Sequence, residues 1–156
     1  MEQHKIPAGS FNMAGTVKAL NELLNNKYGK NNLVAGGYNE FQITLNHQSI
    51  DSAKMNAEDI KKIIIEYLVA RPGVSRAFAL DNITSVPLNA RIKEMIINGY
   101  FPKRSGDIEV ILDPQWLAGF SIAGTSHGMW NPYDSHIPLV WYGWGIKQGS
   151  LHKETY

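Results

Sequence analysis

The chain has no cysteine among its 156 residues. That excludes a disulfide framework, a thiolate metal site and a cysteine nucleophile. It also has little charge. Charged residues make up 19% of the chain, and fifteen Lys and Arg against fourteen Asp and Glu leave a net charge of +1. No run of like charge occurs, so neither a nucleic-acid surface nor an anionic-membrane surface is expected. Apolar runs stay far short of the roughly 20 residues that cross a bilayer, so no membrane segment is expected. Met1 to Lys5 are polar and carry no signal-peptide core, so either the protein is cytosolic or a leader lies outside this sequence. What the chain does have is 44% apolar residues in about one domain's length, enough to bury a core.

The first half reads as alternating elements. Ala8 to Asn12 is an extended entry after Pro7. Met13, Val17, Leu20 and Leu24 share one face of a helix over 13–28, which Tyr28-Gly29 stops. Asn32 to Gly36 is a strand, and Phe41, Ile43 and Leu45 alternate with Gln42, Thr44 and Asn46 as a second, half-buried strand. The polar stretch from Asn46 to Asn56 reads as a loop. Asn56 then caps a helix over 57–71, with Asp59 three residues on and Ile60, Ile63, Ile64, Tyr67 and Leu68 as its buried stripe. Val74 to Leu80 is a strand. This order is that of a ferredoxin-like βαββαβ subdomain, expected over 1–84.

The second half, 85–156, is different. Pro87 to Asn98 is a helix with Pro87 in its first turn, and Ile108 to Leu112 is a strand. Gly119 to Tyr133 is a long loop rich in Gly, Ser, Asn and aromatics. Ile137 to Tyr142 is apolar at every position, as expected of a strand buried on both faces. Such a strand needs neighbours and covering helices that this half does not supply. The expectation is therefore an α+β chain that ends in an incomplete part of a larger α/β sheet. Unpaired, that strand would expose Leu139, Val140 and Trp141 and favour self-association.

The segment Gly124 to Gly149 is the least like a packing element. Gly124-Thr125-Ser126-His127-Gly128 fits the G-x-S-x-G elbow of serine hydrolases. That elbow leads into a helix, and Asn131-Pro132 follows here instead. Asp134 and His136 lie only eight and ten residues beyond Ser126, too close to reach round to it. A second reading makes a histidine of this loop a metal ligand, since an imidazole flanked by glycine can approach a metal closely. The bland reading is a hydrogen-bonded loop histidine.

As a set, these motifs resemble the C-terminal part of a known family. Gly124-Thr125-Ser126-His127-Gly128, Tyr133-Asp134-Ser135-His136-Ile137-Pro138 and Tyr142-Gly143-Trp144-Gly145-Ile146-Lys147-Gln148-Gly149 look like successive motifs of bacterial alkaline phosphatases. The branch is the type I phosphodiesterase/nucleotide pyrophosphatase-like one of the alkaline phosphatase superfamily. Ile6-Pro7-Ala8-Gly9 and Lys103-Arg104-Ser105-Gly106-Asp107 also fit it. The resemblance implies an α/β sheet of the alkaline-phosphatase kind and a parent enzyme that hydrolyses phosphate esters with two zinc ions and a Thr or Ser nucleophile. It implies a periplasmic or extracellular setting. By this resemblance His127 is the expected zinc ligand and His136 the runner-up. Asp134 and His136 are the groups expected to steady the ligand from behind. The resemblance also marks departures. Met129-Trp130 stand where small residues or proline are usual. No Asp-His pair occurs, so the nucleophile and most metal ligands are expected outside this chain, which by itself should be inactive. The alternative is a stand-alone ferredoxin-like module that binds without catalysis.

Other features take plainer readings. His4, His47 and His152 lie in polar stretches and are expected in solvent. Lys103-Arg104 reads as a turn-surface pair rather than a phosphate clamp. Trp141 and Trp144 read as core and lid-packing groups.

Overall fold

A computed structural model describes residues 7–38, 41–119, 130–131 and 135–153. Its elements in order are β1 (Gly9–Phe11), α1 (Met13–Tyr28), β2 (Val34–Tyr38), β3 (Gln42–Leu45), α2 (His47–Ser52), α3 (Ala57–Val69) and β4 (Val74–Ala79). A 3-10 turn over Leu80–Ser85, α4 (Ala90–Gly99), β5 (Ile108–Leu112) and β6 (Trp116–Ala118) complete them.

Local chemistry sets the helix ends. Asn12 Oδ1 accepts from Gly15 N at 2.9 Å and opens α1. Gly29 closes it in the left-handed region, at φ 65°, with its N–H on Asn25 O. The α1 side chains Leu20 and Leu24 are wholly buried. Asn21, on the same helix, both donates to Val34 O and accepts from Val34 N at 3.0 Å, which ties the helix to the start of β2. The α3 stripe Ile60, Ile64 and Leu68 is also wholly buried, and Asn56 Oδ1 caps that helix by accepting from Glu58 N at 2.8 Å.

Among the described residues, the main sheet has four strands in the order β2-β3-β5-β4, with every pairing antiparallel. A ferredoxin-like sheet would place the first strand in the interior. Here β5 takes that place, and β1 instead pairs parallel with β6 as a separate two-stranded sheet. The ferredoxin-like topology is thus corrected: the strand pattern was right, but β5, from beyond residue 84, fills the interior position. Ile108, Val110 and Leu112 of β5 enter the larger core cluster with α1 and α3. Strand alternation turns Glu109 to the opposite face. Its register partner Phe78 belongs to a second cluster there, with Leu80, Ile83 and Ile96.

Two glycines admit the Trp116 indole. A Cβ on Gly73, at φ +80°, would lie 2.0 Å from Trp116 Cε3, and one on Gly9 would lie 2.8 Å from Cη2. No other residue suits a left-handed backbone pressed against a ring.

The C-terminal segment differs from expectation. Ile137 to Tyr142 forms no strand and is exposed rather than buried on both faces. A strand exists through pairing, and no described strand lies beside this one. Trp141 and Trp144 are correspondingly exposed, not core or lid-packing groups. Among the tryptophans, it is Trp116 and Trp130 that pack on the core.

Candidate functional site

The stretch read as a loop after β3 holds the short helix α2, opened by Asn46 Oδ1 accepting from Ser49 N at 3.1 Å and anchored by the buried Ile50. Its first residue is His47. Asp107, just before β5, gathers three elements around it. Its carboxylate accepts from Leu45 N at 2.7 Å and meets His47 Nε2 at 2.7 Å. Its own N–H donates to Ile43 O and its carbonyl accepts from Leu80 N. His47 is therefore half exposed but held, rather than freely solvated as the polar sequence around it suggested.

Next to this pair is a cavity of about 210 Å³ whose polar walls include His47, Asp81, Tyr100, Lys103, Ser105 and Asp107. Asp81 is in turn bound to Lys61, whose Nζ lies 2.5 Å from Asp81 Oδ2 and 2.8 Å from Glu58 Oε1. Burial pulls the Lys61 pKa down, but the hydrogen bonds and charges of Asp81 and Glu58 outweigh it and leave the ammonium favoured. Ser105 Oγ accepts from Phe101 N at 2.9 Å. Lys103 reaches the cavity, whereas Arg104 stacks over the Phe101 ring at 4.9 Å, so the two cations do not converge as a clamp.

Behind the cavity wall lies a buried acid. Glu109 is 3% exposed, and its Oε2 accepts from Gln42 Nε2 at 2.9 Å. The other end of that amide, Gln42 Oε1, accepts from Gly106 N at 2.8 Å. Burial pushes the Glu109 carboxyl up to about 7, against a smaller lowering by the Gln42 hydrogen bond. Neither the His47–Asp107 pair nor Glu109 was singled out from the sequence. The available signals were an Asn cap ahead of His47 and a Glu in an otherwise apolar strand.

The residues expected to carry the chemistry are mostly elsewhere. Ser126, His127 and Asp134 lie outside the described residues. His136 is described and is exposed. Among the described residues, no group of three or more His, Asp or Glu side chains could hold a metal ion. These residues alone do not fit a zinc site, and no catalytic step is derived through one. The described cavity presents acid, imidazole, phenol and amine side chains on its walls. Its imidazole nitrogen Nε2 is already committed to Asp107.

No family model matches the chain. Comparison with individual proteins does place it: over nearly its whole length it is homologous to alkaline phosphatases. Alkaline phosphatase PafA of Elizabethkingia meningoseptica is 38% identical over 153 residues, which are 98% of this chain and 28% of PafA. Alkaline phosphatase PhoV of Synechococcus elongatus is 44% identical over 115 residues, 74% of this chain and 21% of PhoV. A protein of Myroides odoratus named as a calcium-transporting ATPase is 37% identical over 150 residues, 96% of this chain and 27% of its own. The crystal structure of wild-type PafA superposes with a TM-score of 0.86 at 38% identity, over 96% of this chain and 28% of that one. A multiply substituted PafA variant gives 0.84 at 36% identity. The chain thus spans about a quarter of the length of the relatives it matches. The resemblance read from the Gly124–Gly149 motifs is borne out.

Proposed function

We propose that this chain is the C-terminal portion of a zinc-dependent phosphate-ester hydrolase of the alkaline phosphatase or phosphodiesterase kind. Its substrate class is phosphate esters, and its setting is the periplasm or the extracellular space. The observation that carries this reading is one continuous match to PafA, covering 98% of this chain and 28% of PafA, with the fold preserved at a TM-score of 0.86. In this reading the nucleophile and most metal ligands come from outside these residues.

His127 contributes a metal ligand from the Gly-rich loop. Asp134 and His136 hold that loop and orient the ring from behind, as outer groups commonly do around metal-bound imidazoles. His136 is the alternative ligand. When bound, zinc would supply charge stabilisation for the attacking and leaving oxygens. Residues 1–84 and 85–156 act as a support and as a partial catalytic segment, joined through the shared sheet.

The test is direct. The isolated chain, given zinc and p-nitrophenyl phosphate, shows no hydrolysis above background, because no nucleophile forms the covalent phosphoryl intermediate. Zinc-dependent turnover by the isolated chain would overturn this reading.

A further inference from the structure

We propose that the junction of β3 and β5 is a pH-sensitive seam, which parts locally while the rest of the fold stays closed when the buried carboxyl of Glu109 ionises. The backbone ladder is thin there. The pairing of β3 with β5 has two register partners, Gln42↔Glu109 and Ile43↔Ile108, against five for β4 with β5 and four for β2 with β3. Side chains make up the difference. Gln42 spans the seam, with Oε1 accepting from Gly106 N at 2.8 Å and Nε2 donating to Glu109 Oε2 at 2.9 Å. Asp107 spans it further along, through Leu45 N and His47 Nε2, both at 2.7 Å. Two backbone bonds cross as well, from Asp107 N to Ile43 O and from Val110 N to Phe41 O.

The weak point is the Gln42 amide. Its Oε1 is taken by Gly106 N–H, so it can present only N–H groups to Glu109. One neutral donor does not offset the cost of burying a full negative charge. Among the described residues, no cation does so either. The elements packed on that face contribute Gln42 from β3, Phe78 from β4, Leu80 and Ile83 from the 3-10 turn and Ile96 from α4. Their charged groups are exposed or engaged. Arg76 of β4 and Arg91 and Glu94 of α4 are exposed, Lys93 Nζ donates to Thr84 O, and Asp81 is held by Lys61. Asp107, two residues before Glu109 on β5's approach, is occupied by Leu45 N and His47. Burial therefore raises the Glu109 carboxyl from 4.5 to about 7, with the Gln42 bond the one opposing influence. Parting the seam lets solvent reach the carboxylate, because Gly106 and Asp107 also wall the polar cavity. Proton loss thus favours the parted seam as pH rises from 4.5 to about 7, and no further above that. A local parting gains as much from this ionisation as complete unfolding does, and gives up far less buried surface.

The seam does not depend on the phosphatase reading, and its test needs no activity. Native-state amide hydrogen exchange is followed on the full chain at pH 5 and pH 7.5, over urea concentrations below the unfolding transition. The seam reporters are the amides of Leu45, Gly106, Asp107 and Val110, and the references are the amides of α3 and β4. Seam amides should exchange with a small urea dependence, and reference amides with the large one of global unfolding. Seam protection, corrected for intrinsic rates, should fall roughly 10–50-fold between the two pH values. In Glu109→Gln the seam should keep its small urea dependence and lose the fall with pH. Seam amides that share the urea dependence of the references overturn the proposal, because Glu109 then acts on global unfolding alone. The wild type settles that point by itself, whether or not the variant folds. A fall with pH that persists in Glu109→Gln overturns the proposal too, since another group is then the trigger.

Discussion

Replacing Glu109 by Gln should abolish a pH dependence of stability that runs opposite to ordinary acid unfolding. Glu109 is 3% exposed on β5, with one side-chain hydrogen bond from Gln42. Burial raises its carboxyl from an ordinary 4.5 to about 7, only partly opposed by that bond. Because the folded-state value is the higher one, the folded chain keeps this proton between pH 4.5 and 7 while the unfolded chain has released it. Stability is therefore full below pH 4.5, falls as pH rises through that window, and levels off above about 7. At about 1.4 kcal/mol per pH unit the whole fall is on the order of 3 kcal/mol. That is a large share of the roughly 5–15 kcal/mol that holds a domain together. Gln has nearly the same shape, can still accept from Gln42 Nε2 and does not titrate. The assay is urea unfolding at half-unit steps from pH 4.5 to 8.5 for both proteins. The wild type should lose about 2–3 kcal/mol relative to Glu109→Gln across the range. Parallel curves, or a wild type that gains on the variant as pH rises, would refute the reasoning.

Other substitutions test the packing. Gly73→Ala should cost about 2–4 kcal/mol, because it combines left-handed strain with displacement of the Trp116 ring. Gly29→Ala is the control, at φ +65° with open space around it, and should cost only about 1–2 kcal/mol in the same thermal melts. Ile64→Ala removes a wholly buried side chain from α3 and should cost about 2–5 kcal/mol by denaturant titration. Lys61→Met keeps the buried stem and gives up two ion pairs whose acidic partners are more than half exposed, so the unfolding free energy from urea titration should change by no more than about 1 kcal/mol.

Much of the fold was legible where local rules decide it. The helix over 13–28 and the strand over 108–112 emerge at the boundaries their periodicity suggested, because capping residues and apolar spacing act within one element. The helix expected to begin at Pro87 starts at Ala90 instead, with Asn89 Oδ1 accepting from Arg91 N as its cap. The six-residue α2 carries one buried apolar side chain, too few to show a period, and so reads as a loop. Sheet order was beyond local pattern. Nothing in Gly9–Phe11 distinguishes pairing with β6 from a place between β3 and β4, since partners are chosen by distant surfaces. The run Ile137–Tyr142 is apolar throughout, but composition does not reveal whether a neighbour exists to pair with it. The candidate site splits in the same way. Its motifs around His127 were visible as sequence, while the His47–Asp107 pair joins residues sixty positions apart and emerges only when β3 and β5 come together.

The central claim is that these residues form a working portion of an alkaline phosphatase with His127 as a metal ligand. Its most direct test replaces the matched stretch of PafA by this chain and measures bound zinc together with kcat/KM for p-nitrophenyl phosphate. The chimera should hydrolyse the ester. Within it, His127→Ala should lose zinc and roughly 10³-fold or more in rate, whereas His136→Ala should keep its zinc and lose about 10–100-fold. A folded chimera without activity, or a His127→Ala variant that keeps its zinc and its rate, would contradict the account.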